Sequence, residues 1–449
     1  MSNTGPYGDD PTASSDSSAA QAAAGSAGVP GHERGAADAR PGGIADGVPA
    51  VAMEAPAPAT GRSETGTPLL GGPMSAASLA VTMFVEAVGY GVIAPTLPFM
   101  AQRFGVGESA VGFLVGLYAA VGLFVAVPFG ILANRFGRRT LILVGLGCLT
   151  VASVGFIFAP TYGWLIVARI AQGAGATAIW VGSLTVAGDL TPDHSMGRSL
   201  SWITGSWSVG FLIGPSLGGL GSLQTPFIIY AALTALAFML ALAALPETGR
   251  PGVRTSVAGI LRVLRRPNVM ASAAATIALA YYYGVLEGFL PLLLGERGVP
   301  RPMIGLLFSL TGLPPVVLPH LVGRMADRLG DSRLIVGGLL FAACLAAVLL
   351  PLFGTVPYWI LFLLIGIVEV VVYVPAVAMM QRGLDRDERI FATGSHSYAF
   401  STGFFLGPSI AGLLIPIAGY GAMFGALSLV LLAGVAGVLM SGARASEPA

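Results

Sequence analysis

Lysine is absent: all 23 basic residues of the chain are arginines. A Walker-type phosphate loop needs its lysine, and so do a retinal Schiff base and a pyridoxal enzyme, so three functional classes fall away together. Cysteine is nearly absent as well. Cys148 and Cys344 lie singly in apolar runs, which suits neither a disulfide framework nor a metal site. They read as small buried hydrophobes, and no metal or other cofactor is expected. Charge of either sign is scarce, at 10% of residues, and the net +1 says little because location is what matters. Against these absences stands an excess. Hydrophobic residues make up 55% of the chain and the mean hydropathy is +0.80, more apolar mass than one water-soluble core can hide.

That excess is arranged in runs of about 20 residues, each long enough at ~1.5 Å per residue to cross a ~30 Å hydrocarbon slab. Twelve such spans fall near 75–100, 109–132, 141–159, 161–187, 199–222, 225–245, 269–294, 302–323, 334–353, 355–380, 391–416 and 420–441. The expected fold class is therefore an all-α membrane protein of twelve transmembrane helices. Residues 1–73 are different material, rich in Ala, Gly, Ser and Pro, with eight acids against three arginines. Such a segment cannot bury enough apolar surface to fold, and it lacks the basic start and apolar core of a cleavable signal. A disordered cytoplasmic tail is expected there, and a second short one at 442–449.

The arginines orient the spans. With the amino terminus inside, sixteen fall in cytoplasmic segments, among them Arg135, Arg138, Arg139, Arg324, Arg328, Arg333 and Arg382, whereas only Arg103, Arg297 and Arg301 fall outside. The positive-inside rule then places both termini in the cytoplasm of a cell membrane protein.

The spans are also duplicated. Gly91-Val-Ile-Ala-Pro-Thr-Leu-Pro98 parallels Gly284-Val-Leu-Glu-Gly-Phe-Leu-Pro291, at an offset of 193 residues. The same offset carries GILANRFG at 130–137 onto GRMADRLG at 323–330, and GFLIGPSLGG at 210–219 onto GFFLGPSIAG at 403–412. A repeated six-span unit predicts two pseudo-symmetric six-helix bundles, 74–245 and 269–441, related by an axis along the membrane normal and joined by a cytoplasmic linker, 246–268. That linker is too short to be a catalytic domain, and no enzyme activity is expected.

These motifs carry a resemblance. Gly130, Arg135, Gly137, Arg138 and Arg139 after span 2, Arg169, Gln172, Gly173 and Gly175 in span 4, Gly210, Gly214, Pro215, Gly218 and Gly219 in span 5, and Pro246-Glu-Thr248 after span 6 resemble the major facilitator superfamily. The stretch VEAVGYGVIAPTLP at 85–98 is similar to span 1 of the tetracycline and multidrug exporters of its drug:proton antiporter branch. There an acid precedes the PxLP signature by the same nine residues. The resemblance covers 75–441 and implies the fold of that superfamily, with a central cavity lined by spans 1, 4, 7 and 10. It associates the span 5 stripe with antiport. It also implies that the acid of the loop after span 2 helps latch an outward-open state; here that position is Asn134, while the second copy keeps Asp327 beside Arg328. Read physically, Gly210, Gly214 and Gly218 lie one turn apart and leave a bare stripe of backbone for another helix, and Pro215 permits a bend.

Charges at membrane depth give the candidate site: Glu86 in span 1, Arg169 in span 4, Glu287 in span 7 and Glu369 in span 10. A charge at the bilayer centre costs at least ~2.5 kcal/mol on insertion scales, so it faces protein or water. Each acid has a tyrosine four residues away, Glu86 with Tyr90, Tyr283 with Glu287, Glu369 with Tyr373, and such pairs share a helix face. Arg169, with Gln172 and Trp180 near its face, is expected to pair with Glu86 and couple proton flow. The aromatic wall with scattered carboxylates suits a large lipophilic cation. His320 and His396 read as polar residues toward the cytoplasmic ends of their spans. The expected partners are a small-molecule substrate, protons and the lipid bilayer, with no nucleic acid, and the expected state is a monomer. A proton-coupled exporter of amphipathic drug-like or natural-product compounds is the leading reading. A proton-coupled importer of a metabolite, or a non-transporting membrane receptor or scaffold, are its rivals.

Overall fold

The computed structural model describes residues 72–191, 196–248, 262–384 and 386–442. The expected tails, up to residue 71 and from 443, and the middle of the linker, 249–261, lie outside them. The described chain is helical almost throughout: α1 Pro73–Ile93, α2 Leu97–Gln102, α3 Glu108–Phe136, α4 Arg138–Ile157, α5 Tyr162–Leu190, α6 Met196–Gly218 and α7 Thr225–Ala244, then α8 Pro267–Glu296, α9 Arg301–Thr311, α10 Leu313–Val317, α11 Pro319–Leu329, α12 Asp331–Leu352, α13 Tyr358–Gln381 and α14 Arg386–Met440.

Among the described residues nine helices are long and apolar enough to cross a membrane, and ten when α9 and α10 are joined to α11 across their 55° bend. The two remaining expected spans correspond to α6 and to a division of α14. Helix α6 is 23 residues long but threaded with Ser, Thr and Trp. Helix α14 runs through Gly419, whose φ of 75° divides it into two helices.

Prolines account for the departures from straight spans. Span 1 breaks between α1 and α2 at Ala94–Thr96, where Pro95 lacks a backbone donor, and the Thr96 hydroxyl bonds the Gly218 carbonyl at 3.0 Å instead. Span 8 is broken twice around Pro314, Pro315 and Pro319. The single residues Gly137 (φ 93°) and Gly330 (φ 88°) separate α3 from α4 and α11 from α12. A side chain would strain that left-handed turn, and the two glycines stand 193 residues apart.

The same register governs packing. A Cβ at Gly214 would stand 2.7 Å from the Val88 carbonyl, and one at Gly91 would stand 2.6 Å from the Pro215 ring. In the second half Gly407 presses on the Tyr281 carbonyl, and a Cβ at Gly284 would stand 2.6 Å from the Pro408 ring. The span 5 stripe therefore closes on span 1, and its repeat in span 11 closes on span 7. Lipid gives helices little hydrophobic reason to associate, so this close approach of bare backbones is what binds each pair.

The halves meet through a second set of small residues. Gly112 presses on the Pro408 carbonyl, and Cβ atoms at Gly412, Gly219 and Gly305 would lie 2.5 Å from the Glu108 carbonyl, 2.8 Å from the Arg301 carbonyl and 2.5 Å from the Pro215 carbonyl. Hydroxyls reinforce the seam: Ser109 donates to the Gly412 carbonyl at 2.9 Å, and Ser216 and Ser309 share a 2.7 Å bond. All of these lie toward the end that carries Arg103 and Arg301. Toward the arginine-rich end, Gly122 has only Thr177 and Ser401 near it, and beyond it Gly130, Gly205, Gly323 and Gly394 face open space. Among the described residues, the tight glycine contacts between the halves lie at the arginine-poor end.

Candidate functional site

Spans 1, 4, 7 and 10 bring their charged residues to one region, as their equivalence in the repeat requires. Glu86, Glu287 and Arg169 are buried, at 2%, 4% and 1% exposure, and Glu369 is half-buried. Glu287 lies within electrostatic reach of both Arg169 and Glu369.

The partners differ from those expected. Glu86 does not pair with Arg169. Its Oε1 accepts from the Tyr118 hydroxyl at 2.9 Å and its Oε2 from the Trp207 indole at 2.7 Å. Arg169 is satisfied elsewhere: Nε donates to the Leu114 carbonyl at 3.2 Å, Nη2 to the Val115 carbonyl at 2.9 Å and Nη1 to Gln172 at 2.7 Å. Gln172 in turn donates to the Gly89 carbonyl at 3.3 Å, tying span 4 to span 1. Buried donors need acceptors of any kind, and helix carbonyls supply them here.

The tyrosines also pair between helices rather than along them. Tyr283 donates to Glu369 at 2.6 Å, not to its own neighbour Glu287. Tyr90 lies against Glu287 of the other half rather than against Glu86. Tyr373 packs edge-on against His396, ring centroids 5.3 Å apart, and His396 Nδ1 is 3.2 Å from the Thr276 hydroxyl. His396 is thus part of the wall, while His320 is exposed as expected.

Around these groups lies an aromatic cluster that charge counting did not find. Tyr90 touches Tyr118, Trp207, Phe211 and Phe404 at centroid distances of 5.7 to 6.0 Å, and Trp207 stacks on Phe211 at 5.5 Å. Trp180 stands 6.0 Å from Trp207. Offset by 193, Tyr90 matches Tyr283, Phe211 matches Phe404, Trp207 matches Phe400 and Trp180 matches Tyr373. Tyr230 completes the surround: its ring end fills the notch left by Gly89, where a side chain would collide. Trp207 and Phe211, four apart beside the glycine stripe, were readable as one face of α6; Tyr118, on a span without buried charge, had no comparable signal. A void of about 10 Å³, near the size one water needs, adjoins Glu287, Tyr283 and Phe211.

The conformational motifs fall at the arginine-rich end. Arg138, at the start of α4, forms an ion pair with Asp189 at the end of α5. Arg139 donates to the Leu242 carbonyl at 2.5 Å, and Glu247 packs on Gly137. Arg135 and Arg328 close their helices in the two copies of the loop, and Gly130 and Asn134 belong to the last turns of α3. Asp327, largely exposed, faces Arg382 at the end of span 10 at 3.7 Å; Arg382 also grips Asp331 at 3.0 Å.

A duplicated bundle with ionisable groups buried on its axis, and a seam tight at one end, defines a secondary transporter of the membrane. The chain belongs to the Major Facilitator Superfamily, whose model matches residues 79–301 and 272–448. That family consists of transporters rather than enzymes. Multidrug resistance protein 1 of Bacillus subtilis (strain 168) is 27% identical over 353 residues, covering 76% of this chain and 89% of that protein. Quinolone resistance protein NorA of Staphylococcus aureus (strain COL) is 23% identical over 377 residues, covering 81% and 95%. Among solved structures, a POT family transporter in complex with 5-aminolevulinic acid superposes with a TM-score of 0.68 at 14% identity, covering 83% of this chain and 96% of that one. A bacterial homolog of the human lysosomal transporter Spinster, inward-facing and occupied, gives 0.64 at 15%, covering 82% and 92%. These superpositions bear on the fold alone.

Proposed function

We propose that the chain is a proton-coupled exporter of amphipathic, drug-like or natural-product compounds. It works by alternating access as a monomer in the cell membrane, with both termini cytoplasmic. The two halves, 74–245 and 269–441, rock about the 246–268 linker.

One observation carries this reading. Three carboxylates, Glu86, Glu287 and Glu369, share the axis with one arginine whose donors are already taken by carbonyls and an amide. With all three ionised, two negative charges would remain uncompensated in a low-dielectric region. Protons or a cationic substrate must neutralise them, and the two compete. Such competition is the requirement of an exchanger. Within it, Glu86 carries the coupled proton and Glu287 and Glu369 favour cations, with Trp180, Trp207, Tyr283 and Tyr373 offering faces for stacking. The resemblance to proteins named for multidrug and quinolone resistance supports export.

Everted vesicles test the reading. With an acidic lumen, adding an exported compound outside should dissipate the pH gradient, and a panel of neutral and cationic amphiphiles should define the range. An importer that carries protons with its substrate would instead respond to compound loaded in the lumen. A receptor or scaffold would respond to neither.

A further inference from the structure

We infer that Tyr118 is the positioning residue through which the charge of Arg169 acts on the Glu86 carboxylate. The inference rests on the reading that Glu86 carries the coupled proton, and adds how that proton's affinity is set.

Three observations converge on the phenol. The Arg169 guanidinium lies over the Tyr118 ring, 4.8 Å from its centroid. The hydroxyl of that ring donates to Glu86 Oε1 at 2.9 Å. The carbonyls that Arg169 grips are those of Leu114 and Val115, four and three residues before Tyr118 on the same helix. The guanidinium therefore holds both the face of the ring and the helical turn from which it projects. Its planar fork suits this double grip, which a lysine ammonium could not reproduce.

The electrostatic consequence follows from the order of the groups. A cation over an aromatic face draws electron density from the ring, and a phenol so polarised donates its proton more strongly. Arg169 thus stabilises the ionised Glu86 at one remove, without an ion pair that would lock the carboxylate. A direct arginine–carboxylate fork would be difficult to break on each transport cycle. A hydroxyl can turn away when the carboxylate takes a proton. The other groups facing Glu86 are the Trp207 indole from span 5, Trp180 from span 4 and Tyr230 from span 6, none of them a cation. Within span 1, Glu86 has no charged neighbour in α1. Tyr118 is the link between this carboxylate and a positive charge.

Proton release from the purified protein in weakly buffered detergent, on adding tetraphenylphosphonium across pH 5 to 9, tests this. Tyr118→Phe keeps the ring beneath Arg169 and removes only the hydroxyl. The pH of half-maximal release should rise by about one unit, a tenfold change in proton affinity. Tetraphenylphosphonium affinity measured well above that pH, where no proton has to leave, should stay within about threefold. Replacing Tyr118 with 3,5-difluorotyrosine makes the hydroxyl a stronger donor in the same shape, and should move the midpoint the other way. That variant decides the matter should Tyr118→Phe fail to fold. Release by the wild type with an unmoved midpoint in Tyr118→Phe, or a difluorotyrosine shift in the same direction as the phenylalanine shift, would overturn this inference alone. No release by the wild type would overturn the proton-coupled reading, and this inference with it.

Discussion

In the amino-terminal half the end of span 4 is joined to the start of span 3 by Arg138 and Asp189; in the carboxy-terminal half the equivalent places, 193 residues on, hold Asp331 and Arg382. The two ion pairs occupy the same positions with their signs exchanged. Backbone contacts show no such divergence, since Gly91 on Pro215 and Gly284 on Pro408 repeat to the same spacing. Buried charges diverge further still. Glu86 and Arg169 are matched by Leu279 and Phe362, while Glu287 and Glu369 are matched by Ala94 and Ala176. The two halves keep the same close contacts between helices and carry different buried charges. The exchanged pair also gives Asn134 a rationale. It stands at the register of Asp327, which faces Arg382, whereas the residue at the register of Arg382 in the first half is itself an acid, Asp189.

The comparison can be broken most severely at its ion pairs. Arg138→Asp leaves two acids together at a mostly buried site, and loss of one partner from such a pair costs about 3–5 kcal/mol. Functional protein in the membrane should fall at least tenfold. Arg138→Asp combined with Asp189→Arg copies the arrangement of the other half and should restore most of it, measured by expression and drug export together.

A smaller and more selective effect is expected at the second-half acids. Glu287→Gln and Glu369→Gln should each lower export of cationic substrates about tenfold, equivalent to ~1.4 kcal/mol, and leave neutral ones within twofold. Side-by-side transport of a cation and a neutral compound of similar size checks this. Asn134→Asp should be mildly harmful in the wild-type background and neutral or helpful once positions 138 and 189 are exchanged, a sign change that a growth assay under drug would register. Deleting residues 2–70 should alter export least, within twofold at equal membrane expression, because that composition offers nothing to pack against the bundle.

Much of this architecture is legible in the sequence. The twelve spans, the offset of 193 and the depth of Glu86, Arg169, Glu287 and Glu369 follow from hydropathy and repetition alone. The glycine stripe announced a close helix crossing, though not that its partner is span 1. Partnerships within the site were less legible. Spacing of four identifies residues on one face of a helix, but not how that helix is rotated against its neighbours. Tyr283 therefore reaches Glu369 on span 10, helix α13, rather than Glu287 on its own helix. Arg169 looked destined for a carboxylate because backbone carbonyls are invisible in a sequence as acceptors. Tyr118 carries no such signal, because its span has no buried charge, although it touches both the cation and the acid.

In the proposed mechanism the amino-terminal half carries the coupled proton and the carboxy-terminal half attends to substrate charge. Uphill export of a neutral drug by Glu86→Gln, reconstituted in liposomes under an imposed pH gradient, tests it most directly. No accumulation above passive leak is expected, with drug binding retained within about threefold. If Glu86→Gln still concentrates the neutral drug while Glu287→Gln or Glu369→Gln cannot, the roles of the two halves are reversed.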